Sequence, residues 1–141
     1  MSGLIVVDCS VAAKWILPEP GRVAAVDLFD QHLRGDITLI APDLLVAEFA
    51  SLLARRCRRK EISTQQAFDA FSLMERIAPR LFSFHELAPQ ALALAVNSQI
   101  SFWDSVYVAL AIQHACPFIT ADGRLFRGAH ARHPSIQMLA I

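Results

Sequence analysis

A chain of 141 residues is of single-domain size, and at that length folding hides roughly 68–70% of the extended-chain surface, enough for a hydrophobic core. Hydrophobic residues make up 55% of the chain, yet no apolar run approaches the roughly 20 residues that cross a bilayer, and Leu4 to Val7 follow the start without a basic region or cleavage site, so a cytoplasmic protein outside the membrane is expected. The formal net charge is zero, which leaves any nucleic-acid binding to local patches, and Cys9, Cys57 and Cys116 are odd in number and widely spaced, which argues against a disulfide framework or a zinc site.

Periodicity sets the expected elements in order. Leu4 to Val7 reads as a short buried strand, followed by a helix capped by Ser10, carrying Val11, Ala12, Trp15 and Ile16, and ending at Pro18. A second helix is expected over Arg22 to Leu33 and closed by Gly35. Ile37 to Ile40 makes a second strand, and Pro42 suits the first turn of a helix through Leu45, Glu48, Phe49 and Leu53 to about Lys60. Ser63 or Thr64 starts another helix, through Phe68 and Met74 to Ile77. Leu81 to Phe84 reads as a third strand, Pro89 to Val96 as a short helix and Ser101 to His114 as a longer one. Phe118 to Thr120 is a fourth strand and Ile136 to Leu139 a fifth. Strands alternating with helices imply an α/β class: a central parallel sheet of four to five strands, covered on both faces.

Four acids stand in apolar company: Asp8 after Leu4 to Val7, Glu48 between Ala47 and Phe49, Asp104 at the head of an apolar helix, and Asp122 after Phe118 and Ile119. In open parallel sheets ligands gather beyond the carboxyl ends of strands, and all four acids can converge on that edge. Three of them have an alternative reading as local caps. Ser101 to Asp104 has capping-box spacing, Asp122 before Gly123 suits a turn or a cap, and Asp8 can cap the first helix. Glu48 lies on a helix that is apolar on nearly every side and has no such alternative. Two unit charges about 4 Å apart repel by roughly 1 to 4 kcal/mol across water-like to near-surface dielectrics, so gathered carboxylates call for cations. All-oxygen donors favour hard ions such as Mg²⁺, which activate water and neutralise charge in phosphodiester hydrolysis.

The residues that carry this chemistry also carry a resemblance. Val6-Val7-Asp8-Cys9-Ser10, Ala41-Pro42-Asp43 leading to Glu48, Phe102-Trp103-Asp104-Ser105 and Thr120-Ala121-Asp122-Gly123-Arg124-Leu125 resemble the four acidic motifs of PIN-domain nucleases. They are most similar to the VapC toxin branch of type II toxin-antitoxin pairs. The resemblance spans nearly the whole chain in the right order, and it implies one three-layer α/β/α PIN domain over residues 1–141. It also implies a Mg²⁺-dependent endoribonuclease, with Mn²⁺ as the alternative ion, acting on RNA such as tRNA or rRNA. A VapB-type antitoxin would neutralise it, and the toxin would be a homodimer. Carried over by position, Asp8, Glu48, Asp104 and Asp122 become the catalytic, metal-binding acids, with Asp8 and Asp104 the principal ligands, and Ser10 and Thr120 become supporting hydroxyls. Ala121 stands where many relatives have Asn, which makes Asp122 the acid expected to contribute least.

Arg55, Arg56, Arg58, Arg59 and Lys60 form a basic run at the end of the Glu48 helix. Arg55, Arg56 and Arg59, with Arg124 beside Asp122, are the candidate RNA contacts, against the alternative that these cations only complement a helix terminus. His130 and His133 are expected in an exposed loop, and most of Trp15, Ile16, Leu17, Phe102 and Trp103 in the core. A phosphoryl-accepting signalling domain would need an early acid pair and a late lysine, but the lysines are Lys14 and Lys60. An aspartyl phosphatase would need an acid where Ser10 stands. The remaining alternatives are a PIN-like module that binds RNA or protein without cutting, and a structure-specific DNA nuclease.

Overall fold

The computed structural model describes residues 3–77 and 79–140. The strands are β1 (Gly3–Val7), β2 (Ile37–Pro42), β3 (Arg80–Phe82), β4 (Phe118–Thr120) and β5 (Ile136–Met138). They form one sheet in the order β3-β2-β1-β4-β5, parallel throughout. The expected α/β class with a parallel, helix-covered sheet is therefore observed. The chain steps outward from β1 through β2 to β3, then crosses back to add β4 and β5 on the other side. That reversal places a topological switch point between β1 and β4, paired through Val6 with Phe118 and Val7 with Ile119.

The helices are α1 (Cys9–Ala12), continued as a 3-10 turn over Ala13–Trp15, α2 (Arg22–Arg34), α3 (Leu44–Arg58), α4 (Thr64–Ile77), α5 (Phe84–Asn97), α6 (Phe102–His114) and α7 (Gly123–Ala129). Alternation along the strands divides the core between two faces. Val6, Ile40 and Phe118 pack with Leu45 and Phe49 of α3, Leu87 of α5 and Val106, Tyr107 and Leu110 of α6. Val7 and Leu39 point the other way, to Val11, Leu139 and Ala25 of α2. No helix among the described residues is long and apolar enough to cross a membrane.

Several local expectations change. The cap of α1 is Asp8, whose carboxylate accepts from the amides of Ser10 and Val11; Ser10 is the second helical residue. The helix is short because it tightens at once into the 3-10 turn, where the Trp15 indole N–H donates to the Ala25 carbonyl at 3.0 Å. Pro42 ends β2 instead of opening α3. The apolar run Leu81 to Phe84 is cut at Phe82, because Ser83 caps α5 by accepting from the Glu86 amide at 3.2 Å. Pro89 consequently lies inside that helix. Ser83 and Glu86 have the spacing of a capping box, a signal that outranks Pro89 as a helix start. Of the turn and the cap that Asp122 suited, the cap is observed, and it opens α7. Trp15, Ile16, Leu17 and Phe102 pack into or against the core, whereas Trp103 is 56% exposed.

Candidate active site

The four acids reach the carboxyl edge of the sheet from four different elements. Asp8 directly follows β1, Glu48 lies in the second turn of α3, Asp104 in the first turn of α6, and Asp122 follows β4 after Ala121. Three of these positions are helix N-termini, where the unpaired amides and the aligned peptide dipoles favour negative charge.

Asp8 is the most enclosed, 8% exposed. Its Oδ1 accepts from the Ser10 amide at 3.1 Å, the Val11 amide at 3.3 Å and the Ser10 hydroxyl at 2.5 Å, while its Oδ2 accepts from the Thr120 hydroxyl at 2.6 Å. Ser10 Oγ accepts in turn from the Ala121 amide at 2.9 Å, and Thr120 Oγ1 from the Asp122 amide at 3.1 Å. The two hydroxyls thus fasten the end of β1 to the end of β4 and hold Asp8 between them. Burial pushes the Asp8 carboxyl up to about 6, against the pull of its hydrogen bonds from Ser10, Thr120 and Val11 and with a further upward push from Asp104.

Glu48 accepts a short hydrogen bond from the Tyr107 hydroxyl. Burial raises its pKa, the Tyr107 bond lowers it, and the charges of Asp8 and Asp104 raise it again. Tyr107 is buried and stacks on Phe118 with ring centroids 5.7 Å apart. Burial and the Glu48 charge drive the phenol well above its ordinary range, so it remains a donor. Tyr107 is the neighbour of Glu48 that the apolar run after Asp104 does not single out. Its signal is a lone phenol one turn beyond Asp104 on the same helix face.

Asp104 sits third in α6, where its amide donates to the Ser101 hydroxyl at 3.0 Å. Burial raises the pKa of its carboxyl, the Ser101 hydrogen bond lowers it, and Asp122 raises it further. Asp122 is exposed and caps α7, its Oδ1 accepting from the amides of Arg124 at 2.9 Å and Leu125 at 3.2 Å. All four acids therefore lie within electrostatic reach, Asp104 linking Asp8 and Glu48 on one side to Asp122 on the other. Among the described residues, no three His, Cys, Asp or Glu side chains are drawn into a ready-made metal cage. The chemistry of the donors nevertheless fits a hard cation, since the carboxylates and the Ser10 and Thr120 hydroxyls offer only oxygen. Cys9 lies beside this set, but burial and the charges of Glu48 and Asp8 push its thiol up to about 12, against a smaller pull from Arg55, so it supplies no thiolate.

The basic run is divided by the fold. Arg56 is bound to Glu19 at 3.2 Å and Glu61 at 2.9 Å, and Glu19 also pairs with Lys14 at 3.2 Å. Arg59 is the C-cap of α3, Arg124 is exposed on α7, and Arg55 lies along the groove beside Glu48. His130 is exposed in the turn after α7, as expected, with Nδ1 2.8 Å from the Ile136 carbonyl, whereas His133 is half-buried, its Nε2 without a hydrogen-bond partner among the described residues.

A family model described as the PIN domain matches residues 5–131. Among solved structures, PAE2754 from Pyrobaculum aerophilum is similar at 16% identity and a TM-score of 0.64, over 99% of this chain and 92% of that one. VapBC2 from Rickettsia felis, bound to a DNA fragment from their promoter, is similar at 11% identity and a TM-score of 0.66, over 97% and 99%. FitAcB from Neisseria gonorrhoeae is similar at 18% identity and a TM-score of 0.61, over 96% of each chain. At these identities the likeness to the solved structures is one of fold. No curated protein sequence matches the chain.

Proposed function

The chain belongs to the PIN domain family, and on that premise we propose that it is a metal-dependent endoribonuclease, the toxin of a type II toxin-antitoxin pair, built as one domain over residues 1–141 and acting in the cytoplasm. PIN domains are generally nucleases. The observation that carries the proposal is the delivery of Asp8, Glu48, Asp104 and Asp122 from four elements to one switch-point edge, where each is electrostatically linked to another. Mutual repulsion among buried carboxylates destabilises a fold unless positive charge offsets it, so the arrangement suits a site that works with cations bound.

Asp8 and Asp104 would hold Mg²⁺, or Mn²⁺ in its place, with Glu48 and Asp122 completing the donor set. The bound ion supplies a more acidic water and neutralises charge on the attacking and leaving oxygens. Ser10 and Thr120 keep the Asp8 carboxylate in one orientation through their donated hydrogen bonds. Tyr107 does the same for Glu48 and leaves its second carboxylate oxygen free to accept a proton from water.

The resemblance of the four motifs to the VapC branch, with the likeness in fold to VapBC2 and FitAcB, supports a VapB-type antitoxin as partner. A homodimer is consistent with the exposed apolar residues Leu92 and Val96 on α5. The test is incubation of the pure protein with total RNA, purified tRNA and rRNA, or DNA, in Mg²⁺, Mn²⁺ or chelator. Cleavage confined to RNA and to the metal-containing samples is expected, and it should vanish in Asp8→Asn and Asp104→Asn proteins that melt cooperatively. Undiminished cleavage by both variants would overturn the assignment. Cleavage of DNA alone would favour the structure-specific nuclease.

A further inference from the structure

A groove runs along α3, and of the four acids Glu48 lines it. Leu44, Ala47, Glu48, Ser51 and Arg55 recur at helical spacing on one face of that helix, and Trp103 of α6 stands across from them. Trp103 immediately precedes Asp104 and is 56% exposed, an unusual place for the largest apolar side chain. Its ring is braced from behind. It meets Phe102 edge to face with centroids 5.6 Å apart at 74°, and Phe102 meets Phe84 in the same manner at 6.1 Å and 84°. None of the other exposed large apolar side chains lines this groove, so Trp103 is not the centre of an apolar patch. Arg55 lies two helical turns beyond Glu48, about 10 Å along the axis. Unlike that of Arg56, its guanidinium makes no ion pair or hydrogen bond among the described residues.

We propose that Trp103 and Arg55 form a clamp for a nucleotide next to the scissile bond: the indole face stacks an unpaired base, and the guanidinium takes a phosphate of the same strand. The proposal rests on the nuclease reading and adds to it the two side chains that hold the strand. A base stacks on an indole without regard to its identity but only when it is free of its duplex partner, so the clamp selects single-stranded RNA or a loop. A braced indole has little rotational freedom left to lose on binding, and the unengaged guanidinium offsets the repulsion between the acids and an approaching phosphate. A protein partner would use a broader apolar surface than one exposed ring in a groove that also carries Glu48, Ser51 and Arg55.

The test measures binding first, so that it does not depend on turnover. In an Asp8→Asn background with Mg²⁺ present, a labelled single-stranded RNA decamer should bind about tenfold or more weakly to Trp103→Ala, and Trp103→Phe should recover most of the loss. Arg55→Ala should weaken binding and flatten the salt dependence by roughly 0.7 in log–log slope. A fully paired duplex should bind weakly to all of these proteins. In the otherwise unaltered protein, Trp103→Ala should raise KM with kcat within a few-fold. Unchanged decamer binding by Trp103→Ala, failure of the phenylalanine variant to recover it, or a dimer-to-monomer shift in light scattering for Trp103→Ala with binding retained would each overturn the clamp. Absence of cleavage by the unaltered protein would count against the nuclease reading, and the binding measurements would still decide the clamp.

Discussion

Asp8 should make the metal-free protein less stable as pH rises toward neutrality. Its carboxyl is pushed by burial to about 6, against 3.8 for the unperturbed group. Between those two values the folded protein binds a proton that the unfolded chain has already released. Stability from this group is therefore fully present below about pH 4 and is lost as pH rises through 6. The shift corresponds to about 3 kcal/mol at pH 7 and above. Asp8→Asn cannot ionise, and it keeps one oxygen for the Ser10 and Val11 amides while its NH₂ group can donate to Thr120 Oγ1. Urea denaturation in chelator across pH 4 to 8 should show the two proteins nearly equal at pH 4 and the asparagine variant more stable by about 3 kcal/mol at pH 7. The raised carboxyls of Glu48 and Asp104 act in the same direction, and His133, lowered by burial, in the opposite one. The comparison between variants cancels the His133 contribution, whereas the part of the Glu48 shift that the Asp8 charge causes disappears with that charge and adds to the advantage of the asparagine variant at pH 7. Mg²⁺ or Mn²⁺ at pH 7 should recover stability in the original protein, by about 1.4 kcal/mol at ten times the dissociation constant, and should do little for the variant. A stability difference between the two proteins that stays constant from pH 4 to 8 would refute the reasoning.

Tyr107→Phe removes the donor to Glu48 and should cost about 1 to 2 kcal/mol in stability. It should also move the acid limb of the pH–rate profile upward, because the hydrogen bond that lowers the Glu48 pKa is gone; an unmoved limb would deny Glu48 a role in the reaction. Ser83→Ala should cost about 1 kcal/mol in thermal or urea unfolding, since the Glu86 amide loses its acceptor. Arg56→Ala breaks two partly exposed ion pairs, with Glu19 and Glu61. It should change stability by less than about 1 kcal/mol and leave RNA affinity nearly unaltered, as titration calorimetry or fluorescence anisotropy would show.

The sheet was legible because strand signals are local and survive in three-residue pieces: Phe118 to Thr120 is expected and observed with the same bounds. Element boundaries were less so where one residue type can serve two purposes. Pro42 and Pro89 suit the first turn of a helix, but tertiary pairing claims Pro42 for β2, through Phe82, and Ser83 starts the helix that contains Pro89. The acids could be picked out by their apolar company, whereas Tyr107 could not, because its partner Glu48 is 59 residues away. Most of Trp15, Ile16, Leu17, Phe102 and Trp103 lie in or against the core as expected, but which of them does not, Trp103, is not legible, for nothing in the local pattern separates a ring that lies over the core from one that faces a groove.

Capping and metal binding were posed as alternatives for Asp8, Asp104 and Asp122, and the geometry removes the opposition. A carboxylate at a helix N-terminus has its charge offset by amides before any cation arrives, which lets a fold gather acids that would otherwise drive it apart. Asp122 spends only Oδ1 on the α7 amides, so its other oxygen remains available. Asp8 uses both oxygens, but each carboxylate oxygen has a second lone pair. Glu48 is the exception, deep enough in α3 that no amide is free, and there the Tyr107 hydroxyl supplies the offset instead. The same donors that offset the charge without metal would also fix the directions in which the carboxylates could accept one. Removing a cap should therefore weaken metal affinity as well as stability, and Ser101→Ala, which takes the hydroxyl from Asp104, is the variant in which the two losses should appear together.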